Sequence, residues 1–302
     1  MEVTVNLIYA DHVDPRTVTA KHLVIAIGGA GDAGGAVDGL SRELAGEAGR
    51  PIGSFPTDEV ANYLRHRPRI TMTGGWLADY RPPTLTLHEG RDAEGDRFLV
   101  LSGPEPGLNW EKLADSVVSL VDRFMVEQVT VVMAVPMGVP HTRAITATLF
   151  ASDQTMLPDH PELPWDVSMP ASFPVMLGLR LEEAQVPVAG VALHVPHYLA
   201  EQDYPAAAMA GVDWVARLTN LKVSPTAELT EKDAAFAMMI SQALQQNPPF
   251  AAMVGKLEAA YDEPGQPQLG VAAGQAGVPS AEEIGAEAEQ FLRDLNQGEG
   301  TD

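Results

Sequence analysis

The stretch HLVIAI at residues 22–27 shows no polar alternation. It is a short, branched, almost unbroken apolar run, the pattern of a strand buried on both faces of a parallel sheet. GGAGDAGG follows at 28–35, and beyond it Val37, Leu40 and Leu44 recur at helical spacing. The order is therefore strand, glycine loop, helix, which opens a layered α/β fold.

The pattern recurs along the chain. Residues 51–55 can form a second strand, and LTLHEG (85–90) and RFLVLSG (97–103) form a hairpin across RDAEGD. The side chain of Asn109 is placed to cap a helix whose inward stripe is Leu113, Val117, Leu120, Val121 and Phe124. Strand VTVVMAV (129–135) comes next, then a strand candidate ITATLFAS (145–152), a helix near 174–184, a strand near 186–193 and a helix near 206–220. GGWLADYRPPT (74–84) reads as an ordered loop. Strands alternating with helices imply a mainly parallel sheet covered on both faces.

Past Pro225 the pattern is helical only. Thr230 is placed to cap a helix in which Phe236, Ile240, Ala243 and Leu244 share a face, and another helix spans about 250–261. The expected organisation is an α/β domain over 1–225, a helical extension over 226–262, a Pro-, Gly- and Gln-rich linker over 263–279, and an amphipathic helix with a tail over 280–302. The capping box SAEE opens that last helix.

Charge narrows the function classes. Nineteen Lys and Arg against 41 Asp and Glu leave a net charge of −22, and no basic run exceeds RHRPR at 65–69. Such a chain repels phosphate backbones and anionic lipid, so no nucleic acid and no membrane partner is expected. No segment approaches the roughly 18 consecutive apolar residues of a membrane-spanning helix. The absence of cysteine removes disulfides, a thiol nucleophile and a thiolate metal site. With no basic, apolar leader at the start, cytoplasmic residence is expected.

In an open parallel sheet, ligands bind at the carboxyl ends of the strands. Three loops end there: GGAGDAGG, residues 136–143, and HVPHY (194–198). The candidate rim, for a ligand or an interface, is Gly29, Gly31, Asp32, Gly34, Pro140, His141, Thr142, Arg143, His194 and His197. Gly29, Gly31 and Gly34 fit G-x-G-x-x-G in its proper setting, where glycines admit a pyrophosphate to a helix N-terminus. No acidic residue closes a second strand, however, and Asp32 repels phosphate, so a dinucleotide site, a plain anion site and a packing or interface turn all stand as readings.

His141, His194 and His197 raise a three-histidine zinc site, but Pro196 makes the spacing unspecific, and neither metal nor cofactor is expected. No G-x-S-x-G elbow occurs. Ser102, Thr142 and Ser152 lack an assigned base, and Glu105 and Asp153 are candidate acids only by following strands. His141 and Arg143 either line a ligand rim or fix a loop and contact protein. Among the large aromatics, Trp110 and Trp214 are expected in the core, whereas Trp76 and Tyr80 remain candidates for a contact surface.

The run from the glycine loop through DYRPPTLTL, LSGPEPGLNW, VTVVMAVPMGVPHTR and VALHVPHYLA resembles the proteasome assembly chaperone 2 family, in its bacterial and archaeal branch. The resemblance covers about residues 20–220, and GVPHTR is its most specific element. Gly29, Gly31, Arg81, Pro82, Pro104, Trp110, Pro140, His141, Thr142, Arg143, His197 and Tyr198 match its pattern, which adds Arg81 to the candidate rim. The resemblance implies an α/β three-layer sandwich, similar to the phosphorylase/hydrolase-like fold, in an oligomer. It also implies protein binding, which in eukaryotic relatives assists proteasome α-subunit assembly, and it attaches no catalytic role to these residues. Archaeal relatives that engage the proteasome can end in a hydrophobic-Tyr-any tripeptide; this chain ends GEGTD, so that docking route is not implied.

The leading expectation is a non-catalytic homo-oligomer that binds protein partners, with proteasome subunits among the candidates. The alternative is a small-molecule enzyme, hydrolase or nucleoside-phosphorylase-like, working at the strand-end rim.

Overall fold

The computed structural model describes residues 5–46, 49–157 and 168–263. The linker from 264 onward and the helix expected over 280–302 lie outside the described residues.

In chain order the first elements are β1 (Ile8–Tyr9), β2 (His22–Gly28), α1 (Ala36–Ala45), β3 (Arg50–Ser54) and α2 (Thr57–Val60). Then come β4 (Arg69–Thr73), β5 (Trp76–Arg81), β6 (Thr86–Arg91), β7 (Arg97–Pro104), α3 (Trp110–Arg123) and β8 (Gln128–Met137). The chain continues with β9 (Ala147–Ala151), α4 (Phe173–Glu183), β10 (Val188–Pro196), α5 (Pro205–Thr219), α6 (Ala227–Gln246) and α7 (Pro248–Asp262).

Eight strands form one mixed sheet in the order β1-β3-β6-β7-β2-β8-β10-β9. The central pairs β7–β2, β2–β8 and β8–β10 are parallel, and the outer pairs are antiparallel. Five strands, β2, β3, β7, β8 and β10, thus run one way, giving the expected mainly parallel sheet.

Burial on both faces explains the lack of alternation in HLVIAI: Leu23 through Ile27 are all buried. Leu23, Ile25 and Ile27 point toward α3 and α4, meeting Leu113, Val117, Phe173 and Leu177. Val24 and Ala26 point the other way, toward Val37 and Leu40 of α1 and Val212 and Val215 of α5. Each such aliphatic side chain contributes about 1.5–3 kcal/mol of burial, so a polar residue at any of these positions would weaken a layer. Three layers result, helices on sheet on helices.

Several local expectations change. Residues 74–84 are only partly loop: Trp76–Arg81 is strand β5, which pairs with β4 in a separate two-stranded ribbon, and nothing in an all-exposed hairpin shows in the sequence as a buried run. Asn109 does precede α3, but in the left-handed conformation (φ 55°) and without a side-chain cap. Its Nδ2 instead donates to the Glu59 carbonyl at 2.7 Å, tying α3 to α2. The cap of α6 is Thr226, whose hydroxyl accepts from Leu229 N, whereas Thr230 sits inside the helix. Trp110 meets Phe173 edge-on at 5.7 Å, and Trp214 packs against the α1–α5 layer. Helix α6 adds Ile240, Phe236 and Leu244 to that layer and leaves most of its other residues exposed.

Candidate functional site

The strands β2, β8 and β10 end side by side, with Pro196 in register with Met137 and Asp32 bridging to Ala134. The three loops named from the sequence therefore do share one edge of the sheet. What fills that edge is the chain itself.

In the glycine loop, Gly31 O accepts from Ala134 N at 2.7 Å and Gly34 N donates to Ala200 O at 2.7 Å. Two glycines are required by shape. Gly29 has φ 150°, and a Cβ there would stand 2.6 Å from the Glu105 side chain; Gly34 has φ 71°, and a Cβ there would crowd Val195 and Tyr204. The close neighbours are protein atoms rather than space for a pyrophosphate. The start of α1 is likewise occupied: Asp32 Oδ1 accepts from Val37 N at 2.7 Å, where a bound phosphate would accept. Burial pushes the Asp32 carboxyl up to about 6, against the lowering pull of that hydrogen bond. Glu105, also buried, accepts from Phe173 N at 2.7 Å and contacts Ala30 N at 3.5 Å, pinning the loop to the start of α4.

The GVPHTR corner is held by α7. Thr142 Oγ1 donates to Glu258 at 2.5 Å. Arg143 reaches Asp262 through Nε at 3.0 Å and Nη2 at 2.5 Å, and Glu258 through Nη1 at 3.3 Å. The two carboxylates raise the Arg143 guanidinium further above its ordinary value, Asp262 more than Glu258. Pro140 is buried.

Beside this clasp, Tyr198 acts as a hub. Its hydroxyl accepts from His141 N at 2.8 Å and lies 2.7 Å from His141 Nδ1. Its ring takes edge contacts from His141 at 5.8 Å, His197 at 5.4 Å and Phe250 of α7 at 5.5 Å. Burial raises the phenol to about 12 and lowers the His141 ring, so at neutral pH this is an uncharged pair.

His194 is not on this rim. It is buried within β10, and its two ring nitrogens meet the hydroxyls of Thr146 and Thr148 at 2.9 Å each. Burial alone brings it down to about 4. It therefore cannot join His141 and His197 around an ion. Among the described residues no cluster of three or more His, Asp or Glu is disposed to hold a metal. Arg81 ends the exposed ribbon and contributes no contact to the clasp. No described helix is long and apolar enough to cross a membrane. A groove of about 740 Å³ runs along α1 toward the start of α6, but Arg42 is paired with Asp38, Lys232 with Glu228, and Glu43 with Thr226 N.

Sequence reasoning on single loops missed Phe250, Glu258 and Asp262, and did not place Tyr198 on the rim. One signal was available: Phe250, Val254, Glu258 and Asp262 recur every four residues, one stripe of α7 with an aromatic start, a buried middle and an acidic end.

The PAC2 family model matches residues 23–244, reaching into α6. A Mycobacterium tuberculosis protein of unknown function superposes with TM-score 0.80 at 32% identity, covering 87% of this chain and 92% of its own. A Corynebacterium glutamicum protein of unknown function gives TM-score 0.78 at 31% identity, covering 85% and 97%. A second M. tuberculosis structure, described as a proteasome-assembly chaperone homologue, shares the fold at TM-score 0.68 and 22% identity, covering 77% and 99%. No curated protein matches the sequence.

Proposed function

The chain belongs to the PAC2 family, and from that premise we propose that it is a non-catalytic protein-binding scaffold that works as a homo-oligomer, with proteasome subunits among its candidate partners. The observation that carries the reading is the occupied rim. The edge where an open α/β sheet would take a small ligand is closed by α7 on Thr142 and Arg143, by Tyr198 on His141, and by Asp32 on the first turn of α1. A hydrolase or phosphorylase working there would have to displace a whole helix before binding anything. The shared fold of the proteasome-assembly chaperone homologue points to the same class of role.

Native mass spectrometry of the full chain, purified gently from its own cells, tests this. The expected spectrum shows an oligomer retaining protein subunits. A bare chain in every purification, or a retained small molecule lost in Arg143→Gln, would overturn the reading.

A further inference from the structure

Residues 234–255, running from within α6 to within α7, are the longest stretch of this chain without Asp, Glu, Lys, Arg or His. The uncharged stretches at 129–140 and 186–193 are largely accounted for by the buried strands β8 and β10. The helical hairpin differs, because it fully buries Ile240 and Val254 and leaves most of the stretch exposed. Met238 lies about 200° around α6 from Ile240, so it points away from the core, and it is 69% exposed. Met239 flanks it at 53%, with Ala234 and Ala235 a turn earlier. A helix face turned to water ordinarily carries charge, as the start of α6 does at Glu228, Glu231 and Lys232. The apolar face beyond them is the kind that gains by being covered.

The chain itself supplies the cover. In helical projection Ile284, Ala288, Phe291, Leu292 and Leu295 fall within about 100° of one another, and the carboxylates of this segment take the other side. Residues 280–302 hold seven acidic residues against Arg293, 1 − 7 = −6, so the rest of the chain carries −22 + 6 = −16. An acidic helix brought onto an acidic body is repelled over most of that surface, and the uncharged hairpin face takes it without that cost. The tether also reaches: α7 ends at Asp262, and residues 264–279 as a flexible linker span about 20–24 Å, against a length of about 22 Å for α7.

We propose that residues 280–295 form a helix that docks within its own chain on the outer face of the α6–α7 hairpin, setting the stripe of Ile284, Phe291 and Leu295 on Ala235, Met238 and Met239. At an effective concentration on the order of 1 mM, an intrinsic Kd of about 0.1 mM already keeps this tail docked about ten parts to one. The inference concerns one chain and does not rest on the oligomer or partner reading above.

The methionines of the full chain report the result. Under dilute hydrogen peroxide, which must reach the thioether sulfur to oxidise it, Met238 and Met239 are expected to react about 10-fold more slowly than Met125, which is 64% exposed after α3. Phe291→Asp/Leu292→Asp is expected to bring both up to the Met125 rate, while Met133, buried in β8, stays slow and reports an intact body. Independently of that variant, Ala235→Cys provides a unique thiol in this cysteine-free chain for a photo-crosslinker. In mixed ¹⁴N/¹⁵N protein its crosslinks are expected to reach residues 284–295 of the same copy.

Met238 and Met239 oxidising as fast as Met125 in the unaltered chain, rates unmoved by the tail substitutions, or crosslinks to a second copy or a foreign protein would each overturn the docking. A tail variant that speeds Met72, 71% exposed on the β4–β5 ribbon, in place of Met238 and Met239 would put the tail on the ribbon and overturn it as well.

Discussion

Replacing His194 with Gln tests the placement of that residue inside the sheet. In the folded chain the ring titrates at about 4, against an ordinary value of 6.5, and burial is the only cause. Above about pH 6.5 neither state holds the extra proton, and the stabilising preference for a neutral ring is fully present. Between about 6.5 and 4 the unfolded chain binds a proton that the folded chain lacks, so stability falls as pH falls. Below about 4 the loss saturates.

One pKa unit corresponds to about 1.4 kcal/mol, so a separation near 2.5 sets a ceiling of about 3 kcal/mol; at about pH 5 the expected loss is about 2 kcal/mol. Gln can hydrogen-bond one of the two threonine hydroxyls but cannot titrate. Urea unfolding of both proteins at about pH 7.5 and about pH 5 isolates the term, because carboxylate titration is common to both. The wild type should lose about 2 kcal/mol more than His194→Gln over that interval. A difference that does not change with pH would refute the reasoning and return His194 to a solvated position.

Three further outcomes are expected. Asp32→Asn should stabilise the chain by about 1–3 kcal/mol at about pH 8, where the wild type holds a buried carboxylate with a raised pKa, and most of the gain should be lost by about pH 4, where the folded carboxyl is protonated and the unfolded one is becoming so; urea midpoints at the two pH values check it. Gly190→Ala should cost about 1–3 kcal/mol, because the new Cβ meets the Phe150 ring on the paired strand β9, and adding Phe150→Leu should recover part of the loss in a double-mutant cycle. Arg143→Gln should free α7 without unfolding the body, so hydrogen exchange over 248–262 rises by roughly 2- to 10-fold, the range for part-exposed ion pairs, while the β2 and β8 amides keep their protection.

Much of this protein was legible in one dimension. Residues buried on both faces of a sheet leave continuous apolar runs, so β2, β8 and β10 announce themselves, and helices that bury one side leave a 3.6-residue stripe, as in α1 and α3. The parallel direction follows from their alternation, and with it the shared edge where the three loops meet. The β4–β5 ribbon stayed hidden for the converse reason: it buries nothing, so its pattern resembles a loop.

Polar side chains carry no such period, and their fates were decided only in three dimensions. His194 and His197 sit three residues apart, yet the strand end falls between them, leaving one buried against β9 and the other edge-on to Tyr198. Thr142 finds Glu258 across 116 positions, a pairing set by where α7 docks rather than by any local spacing. The apolar pattern determines which faces turn inward, because burial acts residue by residue. Whether the corner they bring together is a pocket or a clasp depends on which distant helix comes to rest on it.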